Sequence, residues 1–185
     1  MEKEAALTAV KSTRATQKFL SSELSTSWKN GWCGPTAAYI MFEYMGKLRS
    51  NSLAPTKEIE HIGSFVGQGS LTLSSMKKGM NNYLSTYSVG GSVASTSFSM
   101  SRIMTEINND KPITIGGNNI VFDDGTTASG GHVTTCHGYY RNGSGSSAYN
   151  ALYLNNGWGE NYITVTFTGT YAPSYFKDHI YWATV

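Results

Sequence analysis

A cysteine at position 33, a histidine at 132 and an asparagine at 156 are the residues of this chain whose types could combine into nucleophilic chemistry. A thiolate attacks carbonyl carbon, an imidazole takes and returns the proton, and an amide can hold the imidazole in the right orientation. Cys33 stands in the run Gly31-Trp-Cys-Gly-Pro-Thr-Ala-Ala. The Gly34-Pro35 pair marks a sharp turn into a helix, and Pro35 suits a first turn because its missing N–H has no intrahelical partner there. Unsatisfied N–H groups at the helix start, with the positive end of its dipole, would favour thiolate over thiol at Cys33. A lone cysteine is as readily a small core hydrophobe, so its partners carry the reading.

His132 follows the glycine-rich Ser129-Gly130-Gly131 and opens the strand-like run His-Val-Thr-Thr-Cys-His-Gly-Tyr-Tyr. At a strand start beside such a loop it can face a cleft. His137, five residues on, falls on the opposite face of a regular strand. His132 is therefore the candidate base, His137 a buried or paired structural residue, and Cys136 an inert core thiol. His61, alone on a helical pattern, reads as a surface or core residue. Asn156, with Trp158 to shield its hydrogen bond from water, is the candidate third member, although Asn155-Asn156-Gly157 is equally a turn signal.

Two kinds of element must position these groups. Ala37, Ile40, Met41, Tyr44, Met45 and Leu48 form one apolar stripe at helical spacing, predicting a buried helix from Gly34 to about Arg49. Shorter helical patterns follow over Thr56–Val66, over Thr72–Tyr87, and around Met100, Ile103, Met104 and Ile107. Residues 1–24 read as a polar helical arm or the remnant of a pro-region, and Val89–Thr96 as a Gly/Ser-rich connection. After Lys111-Pro112 the pattern turns to strands: Pro112–Gly116, His132–Tyr140, Tyr149–Asn155, Tyr162–Thr168 and His179–Val185, with a hairpin loop at Arg141–Ser147. Asp123-Asp124-Gly125 lacks the spaced carboxylates of a calcium loop and reads as a surface turn that helps shape the cleft's rim. Helices first and an antiparallel sheet second predict a single α+β domain over residues 25–185, its cleft between the two layers.

Composition excludes several other classes. A net charge of +2, with no basic run longer than Lys77-Lys78, gives no footprint for nucleic acid. No apolar run approaches the length of a membrane span, and Met-Glu-Lys-Glu-Ala-Ala lacks the apolar core of a signal peptide. Two cysteines make no disulfide framework, and no spacing of Cys or His suggests a metal site, so neither metal nor cofactor is expected. A surface rich in Ser, Thr, Gly, Asn and Tyr and poor in Lys is associated with secreted or cell-surface bacterial proteins.

Cys33-Gly34, Gly131-His132 through Gly138-Tyr139, and Asn156-Gly157-Trp158-Gly159 occur in the order and style of the papain-like cysteine peptidases, which this chain resembles over about Ser25–Val185. The helix start Cys-Gly-Pro-Thr-Ala-Ala looks closer to the bacterial branches, bacteriocin-leader-processing-like and streptopain/staphopain-like, than to the plant and lysosomal enzymes. The resemblance implies an α+β papain-like fold, with an N-terminal helical layer whose nucleophile helix packs on a C-terminal antiparallel β-sheet. It also implies endopeptidase activity on a peptide or protein substrate. Carried over by residue, Cys33 is the nucleophile, His132 the base, Asn156 the orienting residue, Trp158 its shield, and the Cys33 backbone N–H one oxyanion donor.

The family's second oxyanion donor, a Gln six residues before the nucleophile, is replaced here by Ser27. Asn30, three residues before Cys33, or the Ser27 hydroxyl could fill the role. Loss of such a donor costs about a hundred-fold or more in turnover. The resemblance therefore leaves two enzyme alternatives, a transglutaminase-like crosslinker and a cell-wall amidase or peptidase, beside a catalytically silent papain-like binding domain. An α+β adhesin would leave the three motifs as coincidence.

Overall fold

The computed structural model describes residues 31–50, 52–69, 71–157, 163–169 and 173–185. The expected arm over 1–24, Ser27, Asn30 and Trp158 lie outside the described residues. These form four α-helices and a six-stranded sheet in which every pairing is antiparallel.

Helix α1 (Cys33–Tyr44) is buried on all sides from Gly34 to Phe42, which is why its residues are apolar or small around the whole circumference. The apolar stripe runs on to Leu48, but the helix stops earlier. Gly46 adopts φ +68°, and the Lys47 N–H donates to the Phe42 carbonyl at 2.7 Å. A glycine that takes the left-handed conformation overrides the periodicity.

Helices α2 (Pro55–Val66) and α3 (Leu73–Thr86) pack beside α1, presenting Ile59, Ile62 and Val66 from one and Met76, Met80, Tyr83 and Leu84 from the other. Thr72 caps α3 by accepting from the Ser75 N–H at 3.1 Å. Where the two helices cross, a Cβ on Gly79 would lie 2.3 Å from the Phe65 carbonyl oxygen, so only glycine allows the approach. Between them sits a buried polar knot. The Tyr83 hydroxyl donates to Glu58 at 2.7 Å and accepts from the Arg49 N–H at 2.9 Å, while Arg49 Nε donates to both Glu58 oxygens at 3.3 Å. His61 belongs to the same patch, bonded to the Tyr87 hydroxyl and packed against Phe65.

The sheet order is β1-β6-β2-β3-β4-β5. Strand β1 (Ser92–Ser97) falls in the expected Gly/Ser-rich connection. Its sequence Ser-Val-Ala-Ser-Thr-Ser buries only Val93, so no hydrophobic alternation marks it. Pairing makes it a strand: it lies antiparallel to β6 (Phe176–Thr184), and the Asn81 side chain clasps both backbone groups of Val93. Strands β2 (Ile113–Val121), β3 (Thr127–Asn142) and β6 outrun the patterns that predicted them, β4 (Tyr149–Asn155) coincides with its pattern, and β5 is Ile163–Thr168. Gly143, at φ +87°, turns the chain between β3 and β4.

Helix α4 (Met100–Asn108), capped by Ser99, corrects the expectation of one helical layer. Residues on each strand alternate in the side they serve. Val133, Ile180 and Trp182 join the core under α1–α3, whereas Ile113, Ile115, Cys136, Leu152, Leu154 and Phe176 join a second core with Met100, Ile103 and Ile107 of α4. The sheet thus carries three helices on one face and one on the other, burying apolar residues of both parities.

Candidate active site

Cys33 is the first residue of α1. The turn before it is tied down by the Gly31 carbonyl, which accepts from the Gly69 N–H at 2.8 Å. Gly31 has φ +84°, and a Cβ there would lie 2.8 Å from the Gly69 nitrogen, so the close approach that fixes the helix start requires glycine. No side chain caps α1, and the backbone of Cys33 and Gly34 in its first turn favours the charged form of the sulfur.

The sheet supplies the other half. Pairing between β3 and β4 begins at Thr135 with Asn155, and β4 ends there. The turn at Asn156-Gly157 therefore lies alongside the portion of β3 that carries His132 and Val133. Past that point β3 has no β4 partner, and the backbone of Val133 comes near enough to the Cys33 sulfur to favour its charged form. The His132 Nε2 is 2.8 Å from the backbone carbonyl oxygen of Asn156. A carbonyl can only accept, so Nε2 carries the proton and, in the neutral ring, Nδ1 presents a lone pair.

Cys33 and His132 line one cleft of about 630 Å³. Its walls come from Gly69, Leu71, Thr72 and Leu73, the Gly116-Gly117-Asn118 segment of β2, Gly131 at the free part of β3, and Lys177-Asp178 of β6. Backbones crowd at one of these glycines: a Cβ on Gly117 would lie 2.6 Å from the Tyr175 carbonyl oxygen. Apart from Gly131, which precedes His132 in its motif, nothing in residue type marks these walls as functional, and the sequence reading did not single them out.

The electrostatics correct one expectation. Burial pushes the Cys33 thiol above its ordinary value, and hydrogen bonds from the backbone of Val133, Gly34 and Cys33 itself pull it only part of the way back. Desolvation outweighs the helix start, so the resting sulfur is a thiol rather than a thiolate. Burial likewise pushes His132 down to about 4, against the opposing pull of the Asn156 carbonyl. At neutral pH the two groups are a thiol and a neutral imidazole.

Asn156 meets the imidazole through its main chain in this bond, where the resemblance implied its side-chain amide. Cys136 is fully buried, its thiol pushed up to about 12 by desolvation and its S–H donating to the Gly138 carbonyl. His137 is fully buried at the β-bulge between Cys136 and Gly138. The Asp123 turn does not reach the cleft. Its carboxylate accepts from the Thr164 hydroxyl and from the N–H and hydroxyl of Thr166, fastening it to β5. Among the described residues no group of His, Cys, Asp and Glu could hold a metal ion, and no helix is long and apolar enough to cross a membrane.

The sequence profile described as Peptidase_C39 like family matches residues 16–179, a span that holds Cys33, His132 and Asn156 together. No curated protein matches the chain.

Proposed function

The chain belongs to the Peptidase_C39 like family, a cysteine peptidase-type family, and from that premise we propose that it is a papain-like cysteine endopeptidase of a bacterial branch. The observation that carries the reading is the single cleft shared by Cys33, from the helical layer, and His132, from the sheet. As a peptide binds, His132 Nδ1 takes the Cys33 proton and the sulfur attacks the scissile carbonyl carbon. The carbonyl oxygen becomes an oxyanion facing the N–H of Cys33, at a helix start whose dipole favours negative charge. Asn30 or Ser27 supplies the second donor. The imidazolium, its Nε2–H held by the Asn156 carbonyl, returns the proton to the leaving amine. Water then enters under the same base and hydrolyses the thioester.

Delaying charge separation until substrate arrives suits a half-buried thiol beside a buried imidazole, because isolated charges are costly away from water. The proposal extends to Asn156 as the orienting residue and Trp158 as its shield. The proposal also places the protein outside the cell or at its surface.

Peptide hydrolysis tests this. The chain should cleave internal bonds of an unstructured protein substrate, and Cys33→Ala or His132→Ala should each lower kcat by at least about a thousand-fold. Cleavage that survives Cys33→Ala would end the proposal. A folded wild type that binds peptides without cleaving them would replace it with the silent binding domain.

A further inference from the structure

Taking the peptidase reading as its base, we infer that Asn155 is a second positioning residue of the site, acting on His132 through one peptide group. The carbonyl that accepts from His132 Nε2 belongs to the peptide linking Asn156 to Gly157. The N–H of that same peptide donates to Asn155 Oδ1 at 2.9 Å. Asn155 is itself buried, 1% exposed, as the last residue of β4, where its backbone is registered against Thr135 of β3. Gly157 sits at φ +75°, a conformation that glycine adopts without strain. One peptide plane is thus held from two sides, by an amide oxygen anchored in the sheet and by the imidazole.

Two consequences follow from the chemistry. Rotation of the peptide would swing its carbonyl away from Nε2, so the Asn155 anchor fixes both the ring's tautomer and its orientation. Hydrogen bonds in series also polarise one another. A peptide whose N–H donates to Asn155 has a more electron-rich carbonyl, which stabilises the imidazolium formed when Nδ1 takes the thiol proton. Asn155 touches neither sulfur nor substrate in this role; it works through the Asn156 carbonyl.

Three variants test it. Asn155→Ala removes the acceptor, Asn155→Leu removes it while filling the same volume, and Asn155→Asp restores an acceptor oxygen. Long-range proton–nitrogen NMR of the histidine rings reports the His132 tautomer in the folded protein without any substrate. The wild type should show the Nε2–H form alone. The alanine or leucine variant should show a mixture, and the aspartate variant should return to one form. With a peptide substrate, losing the acceptor should lower kcat roughly ten-fold, part of the roughly 10²–10⁴-fold that a positioned base provides, with KM unchanged. The acid limb should move to lower pH, because the imidazolium has lost support. A single unchanged tautomer and an unchanged limb in whichever of the two variants folds would overturn the inference. If the wild type proves inactive while the tautomer still answers to Asn155, the peptidase reading falls and the relay stands.

Discussion

His179 offers a quantitative test of how this fold treats buried ionisable groups. It lies in β6, fully buried, facing the rings of Phe98 at 6.0 Å and Tyr181 at 6.5 Å, and among the described residues neither ring nitrogen has a hydrogen-bond partner. Burial, assisted by the nearby Arg102 guanidinium, pushes it down to about 4. The unfolded chain holds its histidine near 6.5. Between those values the unfolded state binds more protons than the folded one. Stability is therefore whole above about pH 6.5 and is lost as pH falls toward 4. Integrating the linkage relation, acidification from pH 7 to pH 5 costs about 2 kcal/mol through His179 alone. His132, with the same depressed value, costs about as much again.

Against a domain stability of about 5–15 kcal/mol, that is a large acid sensitivity from two side chains. The perturbation is His179→Leu, an apolar residue of similar size in a site that offers the ring no partner. Urea unfolding at pH 7 and pH 5 gives the stability difference for each protein. The wild type should lose about 2 kcal/mol more than the variant between the two pH values. Any packing penalty of leucine shifts both measurements together and drops out of the comparison. Equal losses in the two proteins would show that the folded state protonates His179 as readily as the unfolded chain does, and the desolvation reasoning would be refuted.

Two further substitutions probe the helical layer that carries the nucleophile. Gly79→Ala should cost roughly 1–3 kcal/mol, because the new methyl meets backbone of α2, and should lower Tm by about 2–4 °C per kcal/mol in thermal unfolding; an unchanged Tm would mean the helices separate freely. Tyr83→Phe removes the hydroxyl that donates to buried Glu58 and accepts from the Arg49 N–H. A loss of about 1–3 kcal/mol in urea denaturation is expected, and a neutral result would show the knot to be dispensable.

Much of the scaffold was legible in the sequence because it depends on side-chain pattern. The stripes of α2 and α3, the β4 run and the turn at Gly143 all lie where periodicity and turn chemistry put them. What escaped depends on pairing and on the main chain. Strand β1 is polar and exists because β6 and Asn81 supply hydrogen-bond partners. The end of α1 is decided by the left-handed Gly46, and the face covered by α4 by alternation within strands buried on both sides. At the site, residue types pointed to Cys33, His132 and Asn156. Groups that bear on the site's atoms come from the backbone as well: Val133, Gly34 and Cys33 at the sulfur, and the Asn156 carbonyl at Nε2. Backbone contacts leave no mark in residue identity. The charge state at Cys33 was misjudged for a related reason, since a helix start is visible in sequence and the depth of its burial is not.

The central claim is that Cys33 and His132 act as one acid–base unit, and the rate of Cys33 alkylation as a function of pH, followed by mass spectrometry, tests it most directly. Because a coupled pair loses its first proton as a unit and His132 is held down to about 4, Cys33 should alkylate at a nearly constant rate from pH 5 to pH 7. An ordinary thiol slows by about ten-fold for each unit of acidification in that range. In His132→Ala the plateau should vanish and the ordinary slope appear, while Cys136 stays unlabelled in both proteins. A wild-type Cys33 that follows the ordinary slope, or a plateau that survives the loss of His132, would show that the two residues share a cleft without sharing a proton.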